Sequence, residues 1–483
     1  MRHRSANVVR AKEKSENGDL KNKINVQTSH GLPIVIVILI IAFGTYISHT
    51  SNQSRQGSLQ LNDQNLLRSK SFDFENSFGS GKRLTPCPEA FKKKFWMESS
   101  KINQPIARAI RMQGWEKTDN FEEAQVIWTY VSTTRLYDKL KPWQRYNHIP
   151  KYKLWNQKDS FVTYMMEYAE KSGKELSAIP ETYRLDTASD LKKFKYRLFK
   201  GGGLSVPWVL KKPNVNQGKG ITMLGPNTEE LKNVLKRVEN DKGEQNYIIQ
   251  QYVCNEMTIN KRKFDFRIFW IVASLDPLIV LIHDGYLRIG NSDYTEGDFS
   301  NTKAHLTTHT GLASEGKGTW EEFSKYLLSA VNDNKHLQNI KEPIRHVKNQ
   351  VKQVIGEMAA AFKEVTFNTE LISSENGFGF YGADFIIDWD LDVFFIEPQH
   401  GCGLDEDFQF RVNMHNSIFS EMILLTQEVW ERQERGLPTD NKSIKNLGGY
   451  EFAYNNGWMY EYEGYSRSKS KRGCDIPRNI AKA

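Results

Sequence analysis

Apolar positions along this chain follow three patterns: one unbroken run, several helical periods and several strand alternations. The unbroken run is Gly31 to Ser48, GLPIVIVILIIAFGTYIS, apolar on every side and free of charge. Its length is near the lower limit of the roughly 17–25 residues that span a bilayer as a helix, and it is longer and lies further in than the apolar segment of a cleaved signal peptide. It predicts one transmembrane helix over 31–49. Helical spacing recurs at Ile102, Ile106 and Ile110, across Leu191 to Leu198, at Leu231, Val234, Leu235 and Val238, and at Phe419, Met422, Ile423 and Val429. Each of these predicts an amphipathic helix against a core. Gln125–Val131, Tyr247–Val253, Leu278–Leu281, Ala383–Ile387 and Val393–Ile396 read as strands. In Lys261 to Ser274, KRKFDFRIFWIVAS, alternation places Lys263, Asp265 and Arg267 on one side of a strand and Phe264 and Phe266 on the other.

Composition divides the chain further. Residues 1–30 are polar and basic, and 50–85 are rich in Ser, Asn, Gln and Gly, the make-up of a flexible stem. Mixed helices and strands from 86 onward give an α/β (α+β) class, with a small N-terminal α/β domain over 86–200, a main domain over 201–434 and a Tyr-rich, then basic, tail over 435–483. The excess of Arg and Lys before the apolar run makes it a signal anchor with residues 1–30 in the cytoplasm. A single-pass, type II protein then carries everything after residue 50 in the lumen of the secretory pathway or outside the cell. Sequons at Asn52 and Asn441 fit that side of the membrane.

The net charge of +8 at pH 7 suits acidic partners without choosing among them. No zinc pattern, basic helix repeat or basic–aromatic RNA motif is present, so nucleic acid is not an expected partner. Cys87, Cys254, Cys402 and Cys474 lie far apart with no CxxC, which argues against zinc.

The densest chemistry lies in Phe380 to Gln399, FYGADFIIDWDLDVFFIEPQ, read as a hairpin with Asp384 at the start of its first strand and Glu397 at the end of its second. Gln399 shares the face of Glu397. Two carboxylates and an amide oxygen suit a hard cation such as Mg²⁺, although an edge hairpin with solvated acids fits the same residues. Upstream, Pro207 to Gly220, PWVLKKPNVNQGKG, is a strand ending in two lysines and a Gly/Asn-rich loop, where free N–H groups and a lysine can wrap phosphates. It is neither a P-loop nor a G-x-G-x-x-G turn. GYLRIG sets Arg288 at a strand end, and NTKAHLTTHT carries His305 and His309 without a third ligand at metal spacing.

In this order, Lys-Lys-Pro with a glycine loop, Gln-Gln-Tyr, RKFDFR, an Arg strand, HLTTH, GADF and IEPQ, the motifs resemble the tubulin–tyrosine ligase family, a branch of the ATP-grasp ligases, over about Asn147 to Glu428. The resemblance implies an ATP-grasp fold and an ATP- and Mg²⁺-dependent ligase. Such an enzyme activates a protein carboxylate as an acyl phosphate and joins a free amino acid to it by an amide bond. It implies that Lys212 and Lys263 contact the ATP phosphates and that Gln250, Gln251, Tyr252 and Val253 form the hinge beside adenine. Asp265 would line the nucleotide, Arg267 and Arg288 would act in catalysis, His305 and Thr307 would meet the phosphate and the acyl substrate, and Asp384, Glu397 and Gln399 would hold Mg²⁺. The partners implied are an acidic protein or peptide acceptor and a free amino acid. Tubulin is the acceptor only if the catalytic domain is cytosolic. The family usually ends its hairpin Glu-Val-Asn followed by a Pro-Ser-Leu-like segment; here it is Glu397-Pro398-Gln399-His400-Gly401-Cys402. That departure motivates the alternative of an anchored pseudoenzyme that binds nucleotide or acidic peptide without ligation.

Overall fold

The computed structural model describes residues 83–465, apart from 133, 152, 213–219, 241–245, 308–315, 336, 368–375 and 400–401. The expected transmembrane helix, the tail before it and the stem to residue 82 lie outside the described residues, as do most of the glycine loop and the basic end. Among the described residues no helix is long and apolar enough to cross a membrane.

A small parallel sheet comes first. Its strands are β1 (Lys94–Met97), β2 (Glu116–Lys117), β3 (Val126–Trp128) and β4 (Arg145–Tyr146), in the order β2-β1-β3-β4. Helix α1 (Gln104–Met112), with proline in its first turn, buries Ile106 and Ile110. Ile102, the first position of the predicted stripe, lies instead in the preceding 3-10 turn and is 42% exposed.

After α2 (Lys158–Ser172), an antiparallel sheet forms from β5 (Thr182–Arg184), β6 (Trp208–Lys211), β7 (Ile221–Leu224) and β8 (Ile248–Gln251), ordered β5-β8-β6-β7. Helices α3 (Ala188–Phe199) and α4 (Glu229–Asn240) pack Phe194, Leu198, Leu231 and Val234 against Trp208, Leu210 and Ile249 on one face. The opposite face, with Val209, Lys211 and Gln250, is left for the site. Because β5 and α3 belong to this sheet, the division expected at residue 200 cuts through a packed unit.

The large sheet contains β9 (Thr258–Ile259), β10 (Arg262–Leu275), β11 (Leu278–Asp293), β12 (Lys317–Thr319), β13 (Gly379–Ile387), β14 (Val393–Gln399), β15 (Glu451–Asn455) and β16 (Trp458–Met459). Its main path is β14-β13-β10-β11-β15-β16. Two strands predicted as separate, at Leu278 and around Arg288, are one 16-residue strand. The C-terminal segment contributes β15 and β16 to this sheet rather than forming only a tail.

One face of β10, with Phe264, Phe266, Ile268 and Trp270, packs in a core shared with α2, α5 (Trp320–Asp333) and α6 (Pro343–Phe367). The other face changes character along its length. Phe269, Ile271 and Ala273 are covered by α7 (Gln409–Arg435), while Lys263, Asp265 and Arg267 precede that covered stretch. The site lies where α7 stops covering the strand.

Candidate functional site

Residues directly opposite in an antiparallel pair share a face. Arg267 pairs with Asp384 across β10 and β13, Asp384 with Glu397 across β13 and β14, and Asp265 with Arg288 across β10 and β11. Two bulges make these pairings. In β11, Asp284 and Gly285 oppose the single residue Ile268, which shifts Arg288 rather than Leu287 onto Asp265. A β-carbon at position 285 would overlap the Arg267 carbonyl oxygen, so this strand crossing requires glycine. In β14, the extra residue at Ile396 turns Glu397 toward Asp384. Asp384 is thus in the body of its strand rather than at the start.

The charges are closely knit. Arg267 donates from Nε to Asp384 Oδ1 at 2.5 Å and from Nη2 to Oδ2 at 2.9 Å. Arg288 donates to Asp265 through Nε and Nη2, both at 2.7 Å, and from Nη2 to Asp384 Oδ2 at 2.7 Å. Thr307 donates its hydroxyl to Asp265. Gln399 Nε2 donates to Asp384 Oδ2 at 3.1 Å and to Glu397. Burial alone would push the Asp384 carboxyl up, but Arg267 and Arg288 outweigh it and hold the group below the usual carboxylate range.

The antiparallel sheet supplies the facing wall. Lys211, buried, donates to Gln250 Oε1 at 2.7 Å, and Gln250 Nε2 donates to Thr182 Oγ1 at 3.0 Å. Burial pushes the Lys211 amine down to about 8, against the pull of Glu397. Lys212 is exposed, with its ammonium 5.7 Å from the Tyr247 ring centre. The strand alternation that buries Trp208 and Leu210 toward the helices sends Val209 and Lys211 toward the site, so Lys211 replaces Lys212 as the lysine facing Glu397. By the same parity Gln250 faces the site and the side chain of Gln251 does not. Lys263 donates to Glu256 at 2.7 Å and to the Tyr252 hydroxyl at 3.3 Å. His305 is a brace: Tyr252 and the Asp298 carbonyl bond its two nitrogens at 2.8 Å, and burial lowers its pKa. Val253, Ile386, Phe394 and Ile396 form an apolar cluster between the hinge and the hairpin, a surface suited to a planar base.

Sequence reasoning missed Lys158, at the first turn of α2, whose Nζ is 3.2 Å from Glu397 Oε2. Its signal was a lysine–aspartate pair at a helix start; Lys211 was readable from strand parity. Glu256, the buried partner of Lys263, had no local signal. The acidic turn is structural: Asp388 Oδ1 accepts from the Asp390 and Asp392 N–H groups at 2.9 Å each, and burial raises its pKa to about 8. Among the described residues the free thiols are Cys87 and Cys402, and burial pushes both up to about 12, so neither is a thiolate poised for attack.

The donors fit a hard cation in kind. Two carboxylates face one another, and the Gln399 amide presents its oxygen to the same point if it turns over, with no change of shape. Lys158 bonds Glu397, Lys211 feels the charges of Glu397 and Asp384, and Lys263, held on Glu256, is near enough to act on Lys211; three lysines from three elements are thus able to balance phosphate charge.

A family model described as the tubulin-tyrosine ligase family matches residues 136–435. A mouse protein named probable tubulin polyglutamylase TTLL2 is 23% identical over 372 residues, which cover 71% of this chain and 63% of that protein. Mouse tubulin polyglutamylase TTLL5 is 24% identical over 62% of this chain and 22% of its own length. Tubulin glycylase 3C of Tetrahymena thermophila is 22% identical over 56% of this chain and 26% of its own. The chain spans less than two thirds of the length of each of these relatives.

Proposed function

The chain belongs to the tubulin-tyrosine ligase family, and on that footing we propose that it is an ATP- and Mg²⁺-dependent ligase with an ATP-grasp fold, joining a free amino acid to a carboxylate of an acidic protein. The observation that carries this reading is the register Arg267–Asp384–Glu397, which sets two acids side by side on one face of the large sheet, opposite Lys211 of the facing sheet and Lys158 of α2.

A carboxylate is a poor electrophile. In the proposed reaction one of its oxygens attacks the γ-phosphorus of ATP, ADP leaves, and an acyl phosphate results. The amine of the incoming amino acid then attacks the acyl carbon, loses a proton, and phosphate leaves as the amide forms. Mg²⁺ held by Asp384, Glu397 and Gln399 would screen the phosphate oxygens. Lys158, Lys211 and Lys263 neutralise phosphate charge from the other side. Val253, Ile386 and Ile396 bind the base. Arg267 and Arg288 keep Asp384 ionised and oriented, and would set positive charge beside the reacting carboxylate. No side-chain nucleophile enters.

The test is ATP-dependent incorporation of labelled Glu, Gly or Tyr into acidic protein by the full-length chain, with ADP release measured alongside. Glu397→Gln is expected to lower turnover by about 10²–10³-fold, the loss typical of removing one preorganised electrostatic group, while leaving the melting temperature in place. Turnover by Glu397→Gln equal to wild type would overturn the metal role of this residue.

Gln399 favours one other reading. Its side chain is one methylene longer than the asparagine that the family resemblance leads one to expect there, which shifts the third oxygen relative to Asp384 and Glu397. Nucleotide binding without turnover across the same substrates would assign the chain to a pseudoenzyme.

For location we propose a type II anchor at 31–49 with the catalytic region lumenal. Tubulin is then excluded as acceptor, and a secretory-pathway protein takes its place. Asn52 is the informative sequon, because the Asn441 side chain already accepts from Asn455 at 2.9 Å. Glycan at Asn52 and protease protection in sealed vesicles are expected; a catalytic region digested in intact vesicles would make it cytosolic and readmit tubulin.

A further inference from the structure

We propose that the outward face of α3 rests on an anionic phospholipid bilayer, an interface separate from the anchor at 31–49 and from the site. Helix α3 is apolar on two sides. Phe194 and Leu198 point into the core of the antiparallel sheet, as an amphipathic helix requires. On the other side Tyr196 is 70% exposed and Phe199 53%. They stand three residues apart, on one stripe with Lys192 and Lys200, which lie four residues before and after Tyr196 and are both exposed. Core packing accounts for Phe194 and Leu198 and leaves Tyr196 and Phe199 without a structural role.

Charge selects the occupant. Lys192 and Lys200 form no ion pair among the described residues. Neither does Lys236, which shares a row of α4 with Lys232 and Glu239, the residue that joins α4 to Lys195 of α3. The acids bordering the stripe are already matched: Asp190 by Lys193 at 3.8 Å, Glu181 by Arg197 at 2.9 Å and Glu239 by Lys195. What remains is unmatched positive charge around two aromatic rings. An anionic leaflet meets both halves of that pattern, since its headgroups attract the ammonium groups and its boundary with the acyl chains takes the rings, with the Tyr196 hydroxyl left in the polar layer.

The chain itself supplies a reason for a bilayer to be at hand. The apolar run proposed as an anchor ends before residue 50, and only residues 50–82 lie between it and Arg83, where the described residues begin. The placement of α3 also suits catalysis. Helices α3 and α4 pack on one face of the antiparallel sheet, and Lys211 and Gln250 leave the other. A bilayer against the outer side of α3 therefore covers no residue of the site, and a protein acceptor reaches the site from the side away from the membrane.

The experiment attaches an environment-sensitive fluorophore at Ser189→Cys, exposed on the same stripe, in the full-length chain reconstituted into lipid nanodiscs; the chain without this cysteine, treated alike, gives the background. Emission is expected to rise when phosphatidylserine replaces part of the phosphatidylcholine, and to fall back at about 1 M salt, where charges are screened beyond about 3 Å. The double variants Lys192→Glu with Lys200→Glu, and Tyr196→Ser with Phe199→Ser, are each expected to abolish the rise. ATP affinity and melting temperature should stay at the wild-type values in both, because these side chains are exposed and lie away from the site. Emission that ignores lipid composition, or that both double variants leave as in wild type, overturns the proposal. So does a rise produced by an added Glu-rich peptide or single-stranded RNA and not by the lipid, which would give the face to a protein or a nucleic acid. The anchor is read separately. If the chain does not enter the discs, the anchor fails, and the same label is followed against added phosphatidylserine vesicles: a rise in wild type that the variants lose keeps the α3 interface, and no rise removes it.

Discussion

Asp384 and Glu397 stand opposite one another across β13 and β14 because Ile396 is an extra residue in the second strand. In an unbulged hairpin of the same sequence, Asp384 would face Ile396, and Glu397 would share the core face of Phe395 and Phe385. Deleting Ile396 regularises the hairpin and still leaves the same glutamate opposite Asp384. The expected outcome is Mg²⁺-dependent turnover retained, with KM for ATP raised about tenfold through loss of an apolar wall contact worth ~1.5 kcal/mol. Steady-state ADP release against ATP concentration checks this; loss of turnover with normal ATP binding would refute the register argument.

Gly285 has the same kind of role in β11. Alanine there would place a β-carbon on the Arg267 carbonyl oxygen, which is backbone and cannot swing aside. Gly285→Ala is expected to cost at least about 3 kcal/mol of stability, in the range of severe overpacking, and to weaken the Arg288–Asp265 pairing that the bulge sets. A denaturant melt within about 1 kcal/mol of wild type would count against it.

Lys211 and Lys212 are adjacent, but only one faces the site. With its pKa lowered to about 8 by burial, Lys211 is charged below that pH and loses its charge as pH rises through it. The value of kcat/KM for ATP is therefore expected to fall above pH about 8, and Lys211→Gln to lower it and remove that limb of the profile. Lys212→Gln should leave the profile in place. A larger effect from Lys212→Gln would reverse the assignment.

Asp384 serves stability as well as chemistry. Asp384→Asn leaves Arg267 buried without its carboxylate and is expected to destabilise by about 3–5 kcal/mol at neutral pH. The native pKa is depressed, so the wild-type advantage is present above the unfolded value of about 3.9 and is lost as pH falls through the native one. Chemical melts of both proteins from about pH 7 down to about pH 3 should therefore converge on acidification. A gap that widens at low pH would contradict the ion pairing.

What the sequence determined by itself was local. Alternation in KRKFDFR placed Lys263, Asp265 and Arg267 on one face, since that needs only the strand period. The acidic hairpin was legible because its two apolar runs and turn lie within 20 residues. The apolar stripes of α4 and α7 were legible for the same reason. Tertiary structure decided everything that depended on register or parity across elements. Two bulges chose Arg288 over Leu287 and turned Glu397 toward Asp384, and a bulge is set by the partner strand, not by the residues in it. The packing of Trp208 and Leu210 on α3 and α4 chose Lys211 over Lys212. Lys158 joined Glu397 from more than two hundred positions away in the chain, a distance that no periodicity reports. The same packing left Ile102 outside its helix and on the surface.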